Sequence, residues 1–363
     1  MKQLKYLFFL PASIVLIAIS CSPNNSAANG GSTTEGNWIR SAEFSGNART
    51  QAISFVIGDT AYVGTGFDGT NRYNDLWSFD PVKMNWQEKA NLGDITNARS
   101  SAVAWSIGTK GYVATGTNPY NGGSGGPQYL HDTWQYDQAT NTWKKMADLV
   151  DQTDLTDTGR YEAVAFAIGN YGYVCSGFNG SYQKDLWQFD PNNGPLGTWT
   201  QKTGLTGYKR QSAVAFVYNN QGYVVTGINN GSVTTVNDFW KYDPPTDTWT
   251  QLRNITNTST DTYDDDYTDI TRYDAVAFVM ASSNDTTAYL AVGDNGSYTS
   301  NTWAYSFKTD LWSRRTPYER SQRAGAVSFV VDGRGFVALG SNATYYFDDM
   351  DEFNPTQAYN SND

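Results

Sequence analysis

Two short segments of the chain combine residue types that could carry out acid–base chemistry. They are Arg160-Tyr161-Glu162 and Arg272-Tyr273-Asp274. Each segment places a cation, a phenol and a carboxylate side by side, and such groups could move protons or hold a polar ligand. Each segment could equally be an internal ion pair of the fold. If the protein is an enzyme, Glu162 and Asp274 are the candidate catalytic residues.

The composition excludes several other chemistries. The 363 residues include one His and two Cys, so no site with two His ligands, no Ser-His relay with spare histidines and no disulfide framework can form. The 25 Lys and Arg residues against 36 Asp and Glu residues give a net charge of −11, which argues against a nucleic-acid partner. Charged residues make up 17%, aromatic residues make up 15%, and there are 34 Gly, which favours a loop-rich all-β fold.

The first 21 residues have the features of a secretory signal. Lys2 and Lys5 precede an apolar run over residues 7–19, which is too short to span a bilayer of about 30 Å. Residues 17–21 resemble a bacterial lipobox, in which Cys21 would be acylated; an ordinary signal peptide with an incidental Cys is the alternative. We expect a signal over residues 1–21, a flexible tether over 22–36 and one folded domain over 37–363. The resemblance implies a lipid-anchored protein of the bacterial cell envelope, at the outer membrane, with its side of the membrane left open.

The remainder of the chain contains six copies of one unit. The copies align on Arg49, Arg99, Arg160, Arg210, Arg272 and Arg323. Ala follows three residues after each Arg, a large aromatic residue follows after six, and Gly follows after seventeen in five of the six copies. Most copies then have a Trp, with a second Trp nine to twelve residues later. A repeat of 50 to 62 residues with four strand-like runs predicts a ring of repeated small sheets.

These units resemble kelch repeats, on the strand-ending Gly and the Trp-x-Tyr/Phe-Asp-Pro segments at residues 77–81, 187–191 and 240–244. The resemblance implies an all-β, six-bladed β-propeller with four antiparallel strands per blade. The sixth copy lacks a fourth strand, and the segment around Trp38 matches the missing piece. We therefore predict that the N-terminal strand completes the last blade and closes the ring.

Variation in loop length predicts which face of the propeller is the working face. If the strands of a blade are called a to d from the axis outward, the b–c and d–a loops emerge on the face where each aligned Arg lies. The longest additions are a b–c loop over residues 119–130 and an acidic d–a loop over 254–270. Asp264, Asp265 and Asp266 in the latter are a weak calcium candidate, but they lack the Asp-x-Asp-x-Asp-Gly spacing, so we predict a solvated rim.

The aligned arginines and the aromatic residues of the Arg face are the candidate ligand-binding groups. The six guanidinium groups could form a collar for an anionic ligand, or each could tie its own blade together through carbonyls and carboxylates. Aromatic rings among Asn and Gly suit sugars and protein interfaces alike. The candidates beyond the six arginines and the two segments above are Tyr120, Tyr129, Phe178 and Tyr182.

The leading functional hypothesis is a non-catalytic binding module that recognises a glycan or an envelope protein through the Arg face. The alternative is an enzyme similar to the kelch-type sialic acid mutarotases, with Arg and a carboxylate as acid and base. Similarity to galactose oxidase is excluded, because His131 and Cys175 cannot supply its copper ligands. We expect no cofactor, no nucleic acid, membrane contact only through the lipid anchor, and a monomer.

Overall fold

A computed structural model describes residues 35–118, 129–150, 159–231, 236–281 and 285–363. These residues form six four-stranded antiparallel sheets, the blades. Blade 1 contains β2 (Ile53–Ile57), β3 (Thr60–Gly64), β4 (Leu76–Asp80) and β5 (Asn85–Lys89). Blade 2 contains β6 (Val103–Ile107), β7 (Lys110–Ala114), β8 (Thr133–Asp137) and β9 (Thr142–Lys145). Blade 3 contains β10 (Val164–Ile168), β11 (Tyr171–Cys175), β12 (Leu186–Asp190) and β13 (Thr198–Lys202).

The other three blades repeat the same order of strands. Blade 4 contains β14 (Val214–Tyr218), β15 (Gln221–Val225), β16 (Phe239–Asp243) and β17 (Thr248–Gln251). Blade 5 contains β18 (Val276–Ala281), β19 (Thr286–Ala291), β20 (Thr302–Ser306) and β21 (Leu311–Arg315). Blade 6 contains β22 (Val327–Val331), β23 (Arg334–Ala338), β24 (Met350–Asn354) and β1 (Asn37–Arg40). Two short 3-10 helices, Ile95–Asn97 and Thr262–Asp264, lie in the d–a connections of the described chain.

The alternation of side chains along the innermost strands explains why the blades pack into a ring. In β2, Ile53, Phe55 and Ile57 are buried between blades, whereas Ser54 and Val56 are partly exposed on the other side of the strand. Side chains of a strand point alternately to its two faces, so one face packs against the neighbouring blade. Each innermost strand contacts the next, and β22 contacts β2, which closes the circle.

The aromatic residue six positions after each aligned Arg has the same partner in every blade. It stacks on the aromatic residue that faces it in the second strand, with ring centroids 5.1–5.5 Å apart and planes within 28° of parallel. The pairs are Phe55–Tyr62, Trp105–Tyr112, Phe166–Tyr173, Phe216–Tyr223, Phe278–Tyr289 and Phe329–Phe336. The aromatic positions of the repeat are therefore core positions.

Close contact between two turns explains the Gly and Ala of the repeat. Gly66 has a φ of +102°, a conformation that favours Gly. A Cβ there would lie 2.9 Å from the carbonyl oxygen of Thr50 and 3.1 Å from the Cβ of Ala52. A side chain larger than Ala three residues after Arg49 would therefore disturb this contact. The strand-ending Gly of each other blade lies equally close to the turn that contains the Ala of its repeat.

The N-terminal strand completes the last blade, as the repeat predicts. β1 pairs antiparallel with β24, and Trp38 lies opposite Phe353. Trp38 is 1% exposed, and its indole Nε1 donates a hydrogen bond to the carbonyl oxygen of Thr316 at 3.1 Å. Contacts begin before the expected domain boundary, since the carbonyls of Glu35 and Gly36 accept hydrogen bonds from Thr316.

The N-terminal signal, Cys21 and most of the predicted tether lie outside the described residues. Within the described ranges, no helix combines the length and the hydrophobicity that a membrane crossing requires.

Candidate functional site

Six residues form a closed circle of backbone hydrogen bonds at the start of the innermost strands. Each follows an aligned Arg by two positions; they are Gln51, Ser101, Glu162, Ser212, Asp274 and Gly325. Each donates its N–H to the carbonyl of the equivalent residue in the preceding blade, over 2.8–3.1 Å, and Gln51 closes the circle on Gly325. We call these six residues the axial ring.

All members of the axial ring have a left-handed backbone conformation. Their φ angles lie between 48° and 64°. Five of the six are not Gly, and such residues adopt this conformation only where the surrounding structure holds them in it. The hydrogen-bonded circle provides that restraint, so the fold fixes the ring while the side-chain type can differ from blade to blade.

The axial ring brings together the two carboxylic acids that the sequence singles out. Glu162 accepts hydrogen bonds from the Ser212 hydroxyl at 2.6 Å and from the Gln211 amide at 2.5 Å. Ser212 is also a hydrogen-bond partner of Asp274. The amide of Gln51, from the other side of the ring, is 3.4 Å from Glu162. Ser212 therefore bridges two carboxyl groups that are 112 positions apart in the chain.

The environment of the two acids favours their protonated forms. Burial and, to a smaller extent, repulsion from Asp274 raise the pKa of Glu162 to about 8, against the hydrogen bonds from Ser212 and Gln211. Burial also raises the pKa of Asp274 to about 6, with a contribution from Asp294. The two coupled acids therefore favour keeping a proton between them near neutral pH. A pair of interacting acids with separated pKa values is typical of functional sites.

Replacing Glu162 with Gln should flatten the dependence of stability on pH. The pKa of Glu162 is higher in the folded protein than its usual value of 4.5, so its contribution is fully present below pH 4.5 and is lost as pH rises through about 8. The wild type should lose roughly 1–3 kcal/mol of unfolding free energy across that window, discounted for partial solvent access. Gln resembles the protonated acid and does not titrate, so the unfolding free energy of the variant should change little with pH above 6.5.

Urea titrations at half-unit pH intervals would measure this effect. The loss between pH 4 and 6 that arises from Asp274 should remain in the Glu162→Gln variant. Equal slopes for the wild type and the variant above pH 6.5 would show that the raised pKa does not belong to Glu162.

Four aromatic residues form a wall beside Glu162. The Tyr161 ring lies 5.8 Å from Tyr129, to which it is nearly parallel, and 5.6 Å from Phe178. Phe178 makes an edge contact with Tyr182 at 5.2 Å. All four side chains are partly exposed. The structure thus brings together four of the ligand-binding candidates of the sequence; we call them the aromatic wall, and Tyr120 lies outside the described residues.

Blade 5 contributes a second polar group next to the axial ring. Tyr273 and Tyr298 each pair through the backbone with Asp294, the residue after the strand-ending Gly293. Burial and a hydrogen bond to Asp294 raise the pKa of Tyr273. Asp294 acts on Asp274 as well, so the blade 5 side of the ring is acidic.

Comparisons with known proteins identify the class of fold. The family of Kelch-repeat domains described for KLHDC2, KLHL20 and DRC7 matches residues 120–265. A solved structure described as that of YjhT has a TM-score of 0.66 and 15% sequence identity, and the match covers 85% of this chain and 95% of that chain. The protein is a six-bladed β-propeller, and residues 120–265 of it match the Kelch-repeat family. No curated protein matches the chain, and an identity of 15% establishes the fold alone.

The aligned arginines of the propeller are buried inside the blades. Their exposed fractions are 3% or less. Five of them form ion pairs with an Asp that stands two residues before the third-strand Trp position: Arg49–Asp75, Arg99–Asp132, Arg160–Asp185, Arg210–Asp238 and Arg323–Asp349. Each Arg also donates to the carbonyl that precedes the strand-ending Gly. The geometry corrects the expectation of an arginine collar, because an anion would have to break these buried contacts, and it favours the structural alternative.

Blade 5 departs from this ion-pair pattern. Asn301 stands where the other blades have Asp, and Arg272 donates instead to the carbonyls of Val292, Asn301 and Asp269 at 2.7–3.0 Å. Burial lowers the pKa of Arg272 to about 10, against the attraction of Asp269. Arg272 is therefore held by backbone dipoles, and it too has a structural role.

The acidic d–a loop shows no metal site. The carboxylate of Asp264 is buried and accepts hydrogen bonds from the backbone N–H groups of Thr258 and Ser259, while Asp265 and Asp266 are exposed. Among the residues with described positions, no three His, Cys, Asp or Glu side chains form a group that could hold a metal ion. Asp264 therefore shapes its own loop.

Sequence reasoning missed the hydrogen-bonding partners of the two acids. Ser212 and Gln51 occupy the same repeat position as Glu162 and Asp274, but the position has no common residue type. Gly325 occupies this position in blade 6, and Gly often marks a left-handed backbone conformation. It was therefore the one residue that could have indicated the special backbone conformation of this repeat position. Cys175 is buried as expected, and burial raises its pKa to about 12, so the thiol is unreactive at neutral pH.

Proposed function

We propose that the propeller is a binding module that takes a hydroxyl-rich ligand, such as a glycan, against the axial ring and the aromatic wall. The observation that carries this proposal is the position of Tyr161 and Phe178 beside Glu162. Sugar rings have one apolar face, which packs on aromatic rings, and many hydroxyls, which need donors and acceptors. Gln51, Gln211 and Ser212 supply such groups next to the wall.

The charge of the site disfavours an acidic ligand. Asp274 and Asp294 lie on one side of the axial ring, and the six aligned arginines are engaged inside the blades. A carboxylate-bearing ligand at the ring would be repelled, since like charges in a partly buried site raise each other's energy. A protein partner that buries the wall under an aromatic or apolar residue would use the same surface, and the binding test separates the two.

Removing the aromatic wall should abolish most of the glycan affinity. A glycan array or a thermal-shift screen with neutral, basic and acidic sugars should give at least one reproducible hit that carries no acidic group. For that hit, Tyr161→Ala or Phe178→Ala should weaken binding by roughly tenfold or more, measured by calorimetry. Tyr171→Ala is the matched control, because Tyr171 is an exposed tyrosine of the same blade in the hairpin between β10 and β11, on the opposite face. No hit from any sugar class would favour a protein partner.

A second candidate is a mutarotase-like isomerase, and the pair of acids in the axial ring favours it. Ring opening of a sugar needs an acid and a base, and the coupled pair of Glu162 and Asp274, both with raised pKa values, could supply one of each. Anomer interconversion followed by NMR should then slow by roughly 10²-fold or more in Glu162→Gln and in Asp274→Asn. Wild-type rates equal to those in buffer would exclude this activity.

The cellular context is also part of the proposal. The lipobox-like segment that ends at Cys21 supports a lipid-anchored monomer at the outer membrane of a bacterial cell envelope. A propeller on a tether would present its Arg face to glycans or to proteins of the envelope.

A further inference from the structure

The two carboxyl groups of the axial ring lack cationic partners. Within the described residues, neither Glu162 nor Asp274 forms an ion pair, and the side chains that hydrogen-bond them are Ser212, Gln211 and Gln51. Arg160 and Arg272, two residues before the acids, bind Asp185 and backbone carbonyls inside their blades. The site therefore has an excess of acceptors and of negative charge.

The geometry of the ring fits an organic cation better than a metal ion. No three acidic or other metal-binding side chains of the described chain are grouped closely enough for a metal. An ammonium group, in contrast, donates up to three hydrogen bonds and is satisfied by two carboxyl groups and a hydroxyl. The nearby Tyr161 and Phe178 rings add a surface that attracts cations.

We propose that the axial ring binds the protonated amine of its ligand, between Glu162 and Asp274 and against the Ser212 hydroxyl. This inference rests on the proposed function and deepens it: the preferred glycan is an amino sugar with a free amine, and its apolar face packs on the aromatic wall. An acetylated amine has lost the positive charge, so the same sugar with an N-acetyl group binds more weakly.

Binding of the amine releases a proton from the ring. A single Ser212 hydroxyl has one proton and cannot donate to both carboxyl groups, so in the free protein a proton on one acid completes the bridge. A bound ammonium supplies the hydrogen-bond donors and the positive charge that the two carboxyl groups need, so the proton on the carboxylic acid is released to the buffer. Affinity for an ammonium therefore rises with pH by up to about tenfold per unit, as expected when one proton competes with one ligand.

The other titratable groups that face the ring do not produce this pH dependence. Burial and the charge of Glu162 raise the pKa of Tyr161 to about 12, and burial with the Asp294 hydrogen bond raises the pKa of Tyr273. Tyr129 and Tyr182 are neighbours of Tyr161, and Tyr298 is a neighbour of Tyr273. Asp294 stands beside Asp274 and adds negative charge to the same side.

The test compares matched ligands on the full-length protein by calorimetry and thermal shift. The ligands are a glucosamine oligomer, its fully N-acetylated counterpart and propylammonium chloride, with potassium chloride as the salt control. Propylammonium serves for the pH series because an alkylamine of the Lys type stays charged to about pH 10. We expect the glucosamine oligomer to bind at least tenfold more tightly than the acetylated one. Propylammonium affinity should rise roughly tenfold or more from pH 6 to 8.5.

Variants and buffers separate the proposal from a general salt effect. Asp274→Asn should remove the preference for the amine, and Asp59→Asn, the same change in an exposed hairpin turn on the opposite face, should keep it. Titrations in two buffers of different ionisation enthalpy at pH 7 should show release of up to one proton per amine bound. A folded Asp274→Asn protein that keeps the full preference would overturn the proposal.

The outcomes also separate this inference from the proposed function. Equal affinity for the amino and acetylated oligomers would overturn the inference and leave a glycan-binding module. Binding of propylammonium at the ring without binding of any sugar would support the amine site and reject the glycan. Silence from all three ligands would overturn the inference, and the wider glycan screen would then decide on the proposed function.

Discussion

Replacing Asp238 with Asn should lower the unfolding free energy by roughly 3–5 kcal/mol, although the two side chains have the same shape. Asp238 is 4% exposed and Arg210 is completely buried, and they form the most deeply buried of the ion pairs with Asp. The second carboxylate oxygen of Asp238 accepts hydrogen bonds from Trp240 Nε1 at 2.7 Å and from the Tyr208 N–H at 3.0 Å.

The large expected cost follows from the number of donors around this carboxylate. All three of its neighbours donate, so the amide NH₂ of an Asn must face a donor whichever way the side chain is turned. Arg210 would also lose its counter-charge while its Nη1 remains on the Thr226 carbonyl at 3.0 Å. A buried charge without its partner is costly, which places this change among the most destabilising ones in the chain.

Urea unfolding followed by tryptophan fluorescence would measure the effect. Asp332→Asn is the control, because Asp332 is exposed in a hairpin turn and the same change there should stay within about 0.5 kcal/mol. A folded Asp238→Asn variant with wild-type stability would mean that backbone carbonyls alone can hold an aligned arginine. Blade 5 shows that such an arrangement exists, but there Arg272 donates to four backbone carbonyls and is attracted by the nearby Asp269.

The repeat allowed the fold to be predicted because its signals are local. The aromatic residue after Arg49 faces Tyr62 only seven positions later, and the Gly at position 66 closes on the turn that begins at Thr50. Each unit repeats these short-range contacts, so six copies in the sequence imply six blades in the structure. The Trp38 segment could be placed because it resembles the outer strand of every other blade.

The roles of the arginines and of the two acids could not be decided in the same way. Five of the six arginines pair with an Asp 25 to 33 positions later, across a loop of variable length. The recurrent Asp two residues before the Trp position is a signal that would have revealed this pairing. No comparable signal joins Glu162 to Asp274, since their meeting depends on the radius of the ring and on a left-handed conformation that the sequence does not specify.

The propeller places a structural residue and a candidate site residue within three positions of each other in every unit. The aligned Arg of each unit is buried in its blade, and the residue two positions later belongs to the axial ring. Because the backbone circle holds the ring, its side chains are free to differ, and only blades 3 and 5 have acids there. The six blades are nearly alike, so the difference between one side of the candidate site and the other comes from the residue that each blade contributes to the axial ring.

Deleting residues 37–44 should prevent the propeller from reaching its native stability. The deletion removes β1, so β24 becomes an unpaired edge, and it removes the buried side chains of Trp38 and Phe44. Trp38 alone contacts Tyr318 at 4.9 Å and Phe353 at 4.8 Å, between blades 5 and 6. Trp38→Ala should therefore cost roughly 3–5 kcal/mol, the usual range for a large buried aromatic residue.

The matched controls distinguish closure of the ring from the loss of one aromatic residue. Trp249 occupies the same outer-strand position in blade 4 but is partly exposed, so Trp249→Ala should cost less than Trp38→Ala. Removal of residues 22–33 should leave the melting temperature unchanged, because the sequence predicts a flexible tether there. A chain without residues 37–44 that melts cooperatively at the wild-type temperature would show that five complete blades and a three-stranded sixth are sufficient. In that case the axial ring would keep its hydrogen-bonded circle without the pairing of β1 and β24.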